Sequence, residues 1–485
     1  MKKLKIKENL QVFLDFLVIG CIGALFFIIF EHTYAPNSLW IKPFDLVAFV
    51  VSSTLALTLI VLYIWFKGPK LKESRFSLVV FIILLTVALV SLVNVIVSPA
   101  KEVIMYQPLE GDALEVVIER PLKDKVFSIG LLFLNITLFY SLFVVLPSQK
   151  RFPKILNYVA TVFLLYLFGI IAYSLIKEID LYKDILVNGL KKNTITPTSI
   201  FDNRNTYASF LLTGIMYNFF LYFKSREKKI RYIFPWLGLI PTIFIYFTYS
   251  KTNIILAIIA YLIVIVRHYI KNIIKKRWVY FGVETLLLSL IIFVFVGFRY
   301  IPSLLINPFG QKLLKMIPRD FIFISKRTII GRIEIWKTSY KFISLNARTF
   351  ILGEGLYLSR KIAYAGNIID ANFENVNGFT NYHNGFIEVF HTFGLFGLVL
   401  YCFMIIYLFV GIIRLFFYER SLAFYLLLAL LIFIPRAMME SQSLLLFKSD
   451  PIFASIPIVT TTVYYTNKHK CGMFHPLKRK QKVTN

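Results

Sequence analysis

The chain has 485 residues, of which 58% are hydrophobic and 17% aromatic, with a mean hydropathy of +0.71 and a formal net charge of +28. A soluble domain is only about half apolar, so this composition excludes a water-soluble enzyme and indicates an all-α polytopic membrane protein. The positive charge does not indicate a nucleic-acid partner, because it is gathered in short clusters between apolar runs, where topology and anionic lipid account for it.

Crossing a hydrocarbon core of about 30 Å takes about 20 helical residues. About twelve apolar windows suited to that task recur, at 11–30, 44–66, 76–98, 126–147, 155–176, 205–223, 232–250, 253–267, 279–298, 393–413, 421–439 and 451–466. The runs are continuous and not alternating, which predicts helices and not barrel strands. Lys2, Lys3, Lys5 and Lys7 precede the first window, and basic clusters return at every second loop: Lys67 to Arg75, Lys150 to Lys154, Lys224 to Arg231, Arg267 to Arg277, and Arg414 with Arg420. Lys478, Arg479, Lys480 and Lys482 close the chain. Cytoplasmic loops hold Lys and Arg, so both termini are expected in the cytoplasm. The first window is long and lacks a small-residue cleavage site, so it is expected to remain as an anchor.

The expected organisation is therefore about five spans in 1–200, central helices in 201–298, a large outer segment at 299–392, further spans in 393–466 and a basic cytoplasmic tail at 467–485. Cys21 and Cys402 lie inside windows and Cys471 near the cytoplasmic end, so no disulfide or metal cluster is implied. Asp15 and Glu284 sit near cytoplasmic ends of windows and are expected to reach water. The outer loop 102–124 is acidic, with Glu102, Glu110, Asp112, Glu115, Glu119 and Asp124, and is read as a solvated surface able to touch a partner.

The outer segment is basic and so opposes the positive-inside bias. It holds Arg299, Lys312, Lys315, Arg319, Lys326, Arg327, Arg332, Lys337, Lys341, Arg348, Arg360 and Lys361 against Asp320, Glu334, Glu354, Asp370 and Glu374. An anion at the outer membrane surface is the expected partner, either a lipid headgroup or a lipid-linked phosphate. Residues 311–347 mix apolar and basic side chains below spanning length, which predicts amphipathic helices along the interface. No Gly-rich phosphate loop or metal-ligand spacing occurs, so no cofactor is expected and the substrate must bring its own energy.

Four segments on this face follow one another: Gly331-Arg332-Ile333-Glu334-Ile335-Trp336, then Gly353-Glu354-Gly355, then Tyr382-His383-Asn384-Gly385-Phe386-Ile387-Glu388, then Gly394-Leu395-Phe396-Gly397 at the entry to a span. Upstream stand Asp202-Asn203-Arg204-Asn205 and Ser250-Lys251-Thr252-Asn253. Over residues 200–465 this order resembles the O-antigen ligase and Wzy-type polymerase superfamily. The resemblance implies a GT-C-like fold and a metal-independent glycosyltransferase acting on an undecaprenyl-diphosphate-linked glycan at the outer leaflet of the bacterial plasma membrane. It also implies that Arg332 holds the donor diphosphate, that His383 is the base, and that Lys251 stands where the family usually has arginine. Lysine offers a point charge and not a planar fork, so bidentate phosphate binding is not expected there.

The residue types support such chemistry independently. A diphosphate on an anomeric carbon is a good leaving group, so cations and one base suffice. An imidazole with its ordinary pKa of about 6.5 suits the base, and Arg204 and Arg436, at outer ends of windows, are further cation candidates. Glu354 and Glu388 are the nearest carboxylates and could orient His383 or bind sugar hydroxyls, with Asn384, Tyr382, Asn203 and Asn205 as supporting polar groups. Plainer readings stand beside these: His383 at the interface, Arg332 snorkelling to lipid, Lys251 capping a hairpin, Arg436 pairing with Glu440 one turn on, and His391 packing. A repeat-unit polymerase is the expected function, with a ligase or a lipid-linked-glycan transporter as alternatives. A chain-length regulator and a flippase are the expected protein partners.

Overall fold

The computed structural model describes residues 75–106, 114–148, 152–188, 195–201, 204–224, 237–274, 346–355, 383–440 and 456–471, with the shorter pieces 234, 332–333, 335–337, 339–340, 343–344 and 444. The expected spans at 11–30, 44–66 and 279–298, most of the outer segment and the basic tail lie outside these residues.

In chain order the helices are α1 (Arg75–Val97), α2 (Leu122–Tyr140), α3 (Phe152–Lys177), α4 (Ile179–Asn188), α5 (Arg204–Lys224), α6 (Leu239–Phe247), α7 (Lys251–Ile274), α8 (Ala347–Leu352), α9 (Gly385–Leu415), α10 (Arg420–Met439) and α11 (Thr461–His469). Two strands, β1 (Lys101–Tyr106) and β2 (Leu114–Glu119), lie between α1 and α2. Among the described residues α1, α3, α9 and α10 are long and apolar enough to cross a membrane, and each coincides with an expected window. The 23 residues of α1 make about 35 Å of helix, a little more than the hydrocarbon thickness.

The strands amend the all-α expectation. Val, Ile, Met and Tyr make up most of KEVIMY, and Val and Ile recur in LEVVIE; β-branched and aromatic side chains favour a pleated ribbon. The strands form an antiparallel hairpin with Lys101 opposite Glu119, Val103 opposite Val117 and Tyr106 opposite Leu114. Reading this stretch only for its acidic residues missed its β-branched runs. Its acids are not uniformly solvated either, since Asp124 is buried and Glu102 is engaged by two arginines.

The chain divides into two compact units, one of residues 1–159 and 330–485, the other of residues 160–329. In the first, α9 packs against α1, α8, α10 and α11. Phe76 of α1 stacks on Tyr407 of α9 with ring centroids 4.3 Å apart, and Asn467 of α11 donates to Ser77 of α1 at 2.8 Å. In the second unit α5 is buried on every side from Tyr207 to Leu221, with α6 and α7 against it. Gly214 makes room there for Leu167 of α3, because a Cβ would lie 2.4 Å from the leucine Cδ2.

The 31-residue α9 is not one straight rod. Gly394 takes φ 68 and ψ −173, which breaks the helix. The sequence pattern begins the apolar span at 393, beside this break, whereas helical structure begins at Gly385, so residues 385–392 are a short helical lead-in and not open loop. The break is held by a second glycine turn. Gly353, with φ 77, ends α8, and the Glu354 and Gly355 N–H groups donate to the His391 and Thr392 carbonyls at 2.8 and 2.9 Å. A Cβ on Gly353 would stand 2.5 Å from the Gly394 nitrogen, and one on Gly394 would stand 2.2 Å from the Ile351 carbonyl oxygen. The G-x-G and G-x-x-G motifs are thus two halves of one backbone joint that tolerates no side chain at its centre.

Candidate active site

Asn384 explains why α9 starts where it does. Its extended backbone and side-chain oxygen form an N-cap, accepting from the Phe386 and Ile387 N–H groups at 2.9 and 3.2 Å. Asn384 is therefore a structural cap. His383, immediately before the cap, has φ 48, a left-handed conformation that a residue with a Cβ adopts at some cost. Glu388 follows in the first turn of α9, wholly buried, where the helix dipole favours an acid.

The second component is the C-terminus of α10. Pro435 removes one helical hydrogen bond near the end, Arg436 is buried in the last turn, and the chain leaves the helix at Glu440 with φ −138 and ψ 153. A carboxylate at a helix C-terminus faces the negative end of the dipole and needs cations nearby. Glu440 has them: Arg332 Nη2 donates to its Oε1 at 3.3 Å, and His383 Nδ1 stands 3.7 Å from its Oε2, at ion-pair range. Both of these partners are distant from Glu440 in sequence. Arg332 Nη1 is buried and has no hydrogen-bond acceptor among the described residues. The described residues between 332 and 340 are helical, and this piece is tied to α9 by the Ser339 carbonyl, 3.0 Å from His391 Nε2. His391 is buried.

Glu354 belongs elsewhere. It is buried and bidentate with Arg120, at 2.9 to 3.0 Å, rather than turned to His383 or to solvent. Burial pushes its carboxyl above the usual range, against the downward pull of Arg120. Arg120 also meets Glu102 at 2.7 Å, Glu102 meets Arg348 at 3.1 Å, and Arg348 Nη1 donates to Asn94 at 2.9 Å. Asn94 in turn donates to the Gly353 carbonyl, and Asn346 donates to Glu102. This network clamps the hairpin, α1 and α8 around the glycine joint.

In the second unit, Lys251 opens α7 and Arg204 opens α5. Both lie against one ring, Tyr249: the Arg204 guanidinium carbon is 5.9 Å and the Lys251 Nζ 5.3 Å from its centroid. Tyr249 itself has φ 56. Ser250 starts the next turn, its carbonyl accepting from Ile254 N–H and its hydroxyl from Asn253 Nδ2. Two cations at two helix N-termini oppose both dipoles, an arrangement that an anion would relieve. Asn205 is half-buried beside Arg204, whereas Asn203 and Tyr382 lie outside the described residues.

Residues 236–402 match the O-antigen ligase family. The match takes in Lys251, Arg332, Glu354, His383, Asn384 and Glu388, and ends before Arg436 and Glu440. It includes the glycine joint, the α9 cap and the Ser250-Lys251 turn, so the motifs from Ser250 to Gly397 fall within the matched residues. Arg204, Asn203 and Asn205 precede it. No curated protein matches the chain.

Sequence reasoning missed Glu440 as a partner of His383 and Arg332, Arg120 as a partner of Glu354, and Tyr249 as the shared ring. Only Tyr249 carried a local signal, adjoining the Ser250-Lys251 turn. The other two contacts span 108 and 234 residues in their arginine pairs.

Proposed function

We propose that this protein is a glycosyltransferase of the outer leaflet of the bacterial plasma membrane, a polymerase that transfers a polyprenyl-diphosphate-linked glycan to the terminal sugar of another lipid-linked repeat unit. The observation that carries this reading is the meeting of Arg332 and His383 at the Glu440 carboxylate. A base held by an acid, with a guanidinium on the same acid, is the equipment for displacing a diphosphate from an anomeric carbon.

The acceptor hydroxyl oxygen attacks the anomeric carbon, the bond from that carbon to the diphosphate oxygen breaks, and the electron pair departs with the polyprenyl diphosphate. The hydroxyl proton passes to His383 Nε2. With Nδ1 at 3.7 Å from its Oε2, the Glu440 carboxylate stabilises the imidazolium that forms. Arg332 directs its Nη1 to the leaving diphosphate and offsets the developing charge. Within the second unit, Arg204 and Lys251 form a phosphate-binding pair of their own, with lysine acting as a point charge. One displacement inverts the anomeric configuration. A flippase that delivers the repeat unit and a chain-length regulator are the protein partners this reading implies.

Attachment of finished glycan to a different acceptor is the second reading, favoured by the description of the family that residues 236–402 match. Deletion of the gene in its native host separates the two. Loss of a polymerase leaves single lipid-linked repeat units to accumulate, and this is the expected result. Loss of a ligase leaves long lipid-linked chains, which would transfer the assignment to the second reading. Neither accumulating at the outer leaflet, with single units held at the inner leaflet, would mark a transporter and overturn both.

A further inference from the structure

The Arg204 and Lys251 pair depends on a turn that neither residue makes. The chain reaches α5 through residues 195–201, and Ser199 there has φ 61, a left-handed backbone in a buried serine. Such a turn exposes successive N–H groups on one side, and buried N–H groups need acceptors. One carboxylate supplies them. Glu178, between α3 and α4, accepts from Thr198 N–H at 2.9 Å through Oε1 and from Ser199 N–H at 2.9 Å through Oε2 and 3.1 Å through Oε1. Its Oε2 also accepts from the Ser174 hydroxyl at 2.7 Å, which fixes the carboxylate in turn. The Ser199 hydroxyl donates to the Ile170 carbonyl at 3.2 Å, and Phe201 N–H closes the turn on the Thr198 carbonyl at 3.0 Å. Phe201 is buried against Tyr207 and Phe210, so the turn leads into α5, whose first residue is Arg204, with both sides anchored.

We propose that Glu178 is a positioning residue for phosphate binding: by holding the left-handed turn at Ser199 it sets the start of α5, and with it the place of Arg204 over the Tyr249 ring beside Lys251. The inference rests on the reading of Arg204 as a phosphate-binding residue of a lipid-linked-glycan transferase. Glu178 touches no substrate. Its effect runs through backbone N–H groups, for which a neutral glutamine is a poor replacement, since it has one acceptor oxygen and lacks the charge that strengthens these bonds.

The test measures the dissociation constant of undecaprenyl diphosphate for the purified full-length protein in nanodiscs, with thermal unfolding recorded on the same samples. Glu178→Gln, Arg204→Ala and the double variant are compared with the parent. Glu178→Gln is expected to weaken binding roughly five- to tenfold, the factor that goes with losing about one net hydrogen bond, while the unfolding temperature stays within about 3 °C. The double variant is expected to bind no more weakly than Arg204→Ala alone, because Glu178 acts through Arg204. Unchanged binding in Glu178→Gln, with or without a lower unfolding temperature, would overturn the proposal and leave Glu178 a purely structural residue. Multiplying losses in the double variant would also overturn it. Should Arg204→Ala bind like the parent, the phosphate role of Arg204 and the inference fall together, while the roles of Arg332 and His383 are tested separately.

Discussion

Replacing Arg120 by methionine would leave two carboxylates, Glu354 and Glu102, facing an apolar side chain. Glu102 keeps Arg348 at 3.1 Å and is partly exposed, so it retains a partner and some water. Glu354 is 4% exposed and loses both of the hydrogen-bonding nitrogens it has from Arg120. Breaking a buried pair from one side costs about 3–5 kcal/mol, because a charge is left buried without compensation. For a chain of 485 residues that lowers the unfolding temperature by roughly 3–5 °C. The double replacement Arg120→Met with Glu354→Met removes the stranded charge and is expected to recover at least about half of the loss, since buried pairs often exchange for apolar contacts at little net cost. Thermal unfolding of both variants in the same detergent, followed by tryptophan fluorescence at one scan rate, makes the comparison. A single variant within about 2 °C of the parent, or a double variant worse than the sum of its singles, would refute the view that this pair is a closed and mutually dependent unit.

Three further outcomes follow from the same geometry. Gly394→Ala places a Cβ 2.2 Å from the Ile351 carbonyl at φ 68, so little folded protein is expected on size-exclusion in detergent, whereas Gly130→Ala, with nothing within 4 Å, is expected to behave as the parent. Asn384→Ala loses the cap of α9 and is expected to cost about 1 kcal/mol with reduced activity, while Asn384→Asp keeps an acceptor oxygen and restores both in unfolding and turnover assays. Glu440→Gln removes the charge that Arg332 and His383 share, and turnover is expected to fall roughly 10- to 100-fold, with a smaller change in undecaprenyl diphosphate binding.

Four of the expected spans were legible because spanning helices announce themselves by length and continuous apolarity. The windows at 76–98, 155–176 and 421–439 lie within one to three residues of helices at Arg75–Val97, Phe152–Lys177 and Arg420–Met439. The start of α9 was less legible, because its first residues combine a cap, an acid and two histidines whose polarity reads as loop. His383 and Arg332 were visible as candidates through their motif, but Glu440 was not, since its nearest charged neighbour in sequence is Arg436 and local spacing favours that pairing. The pairing of Glu354 was hidden for a related reason. Its partner Arg120 sits at the end of an acidic hairpin, where a single basic residue carries no pattern of its own. The glycine motifs were seen as motifs, yet that Gly353 and Gly394 meet is a tertiary fact, set by the approach of two backbones.

The central claim is that His383 takes the proton of the acceptor hydroxyl while cations hold the departing diphosphate. Its most direct measurement is product formation by purified protein in liposomes given the host's own lipid-linked repeat unit, comparing the parent with His383→Ala after matched unfolding and undecaprenyl diphosphate binding have shown both to be folded and competent to bind. The expected result is a ladder of lengthened glycan and released undecaprenyl diphosphate from the parent, and at least about a 100-fold loss of both from His383→Ala. A ladder of parental rate from His383→Ala would contradict the account and move the base to another residue.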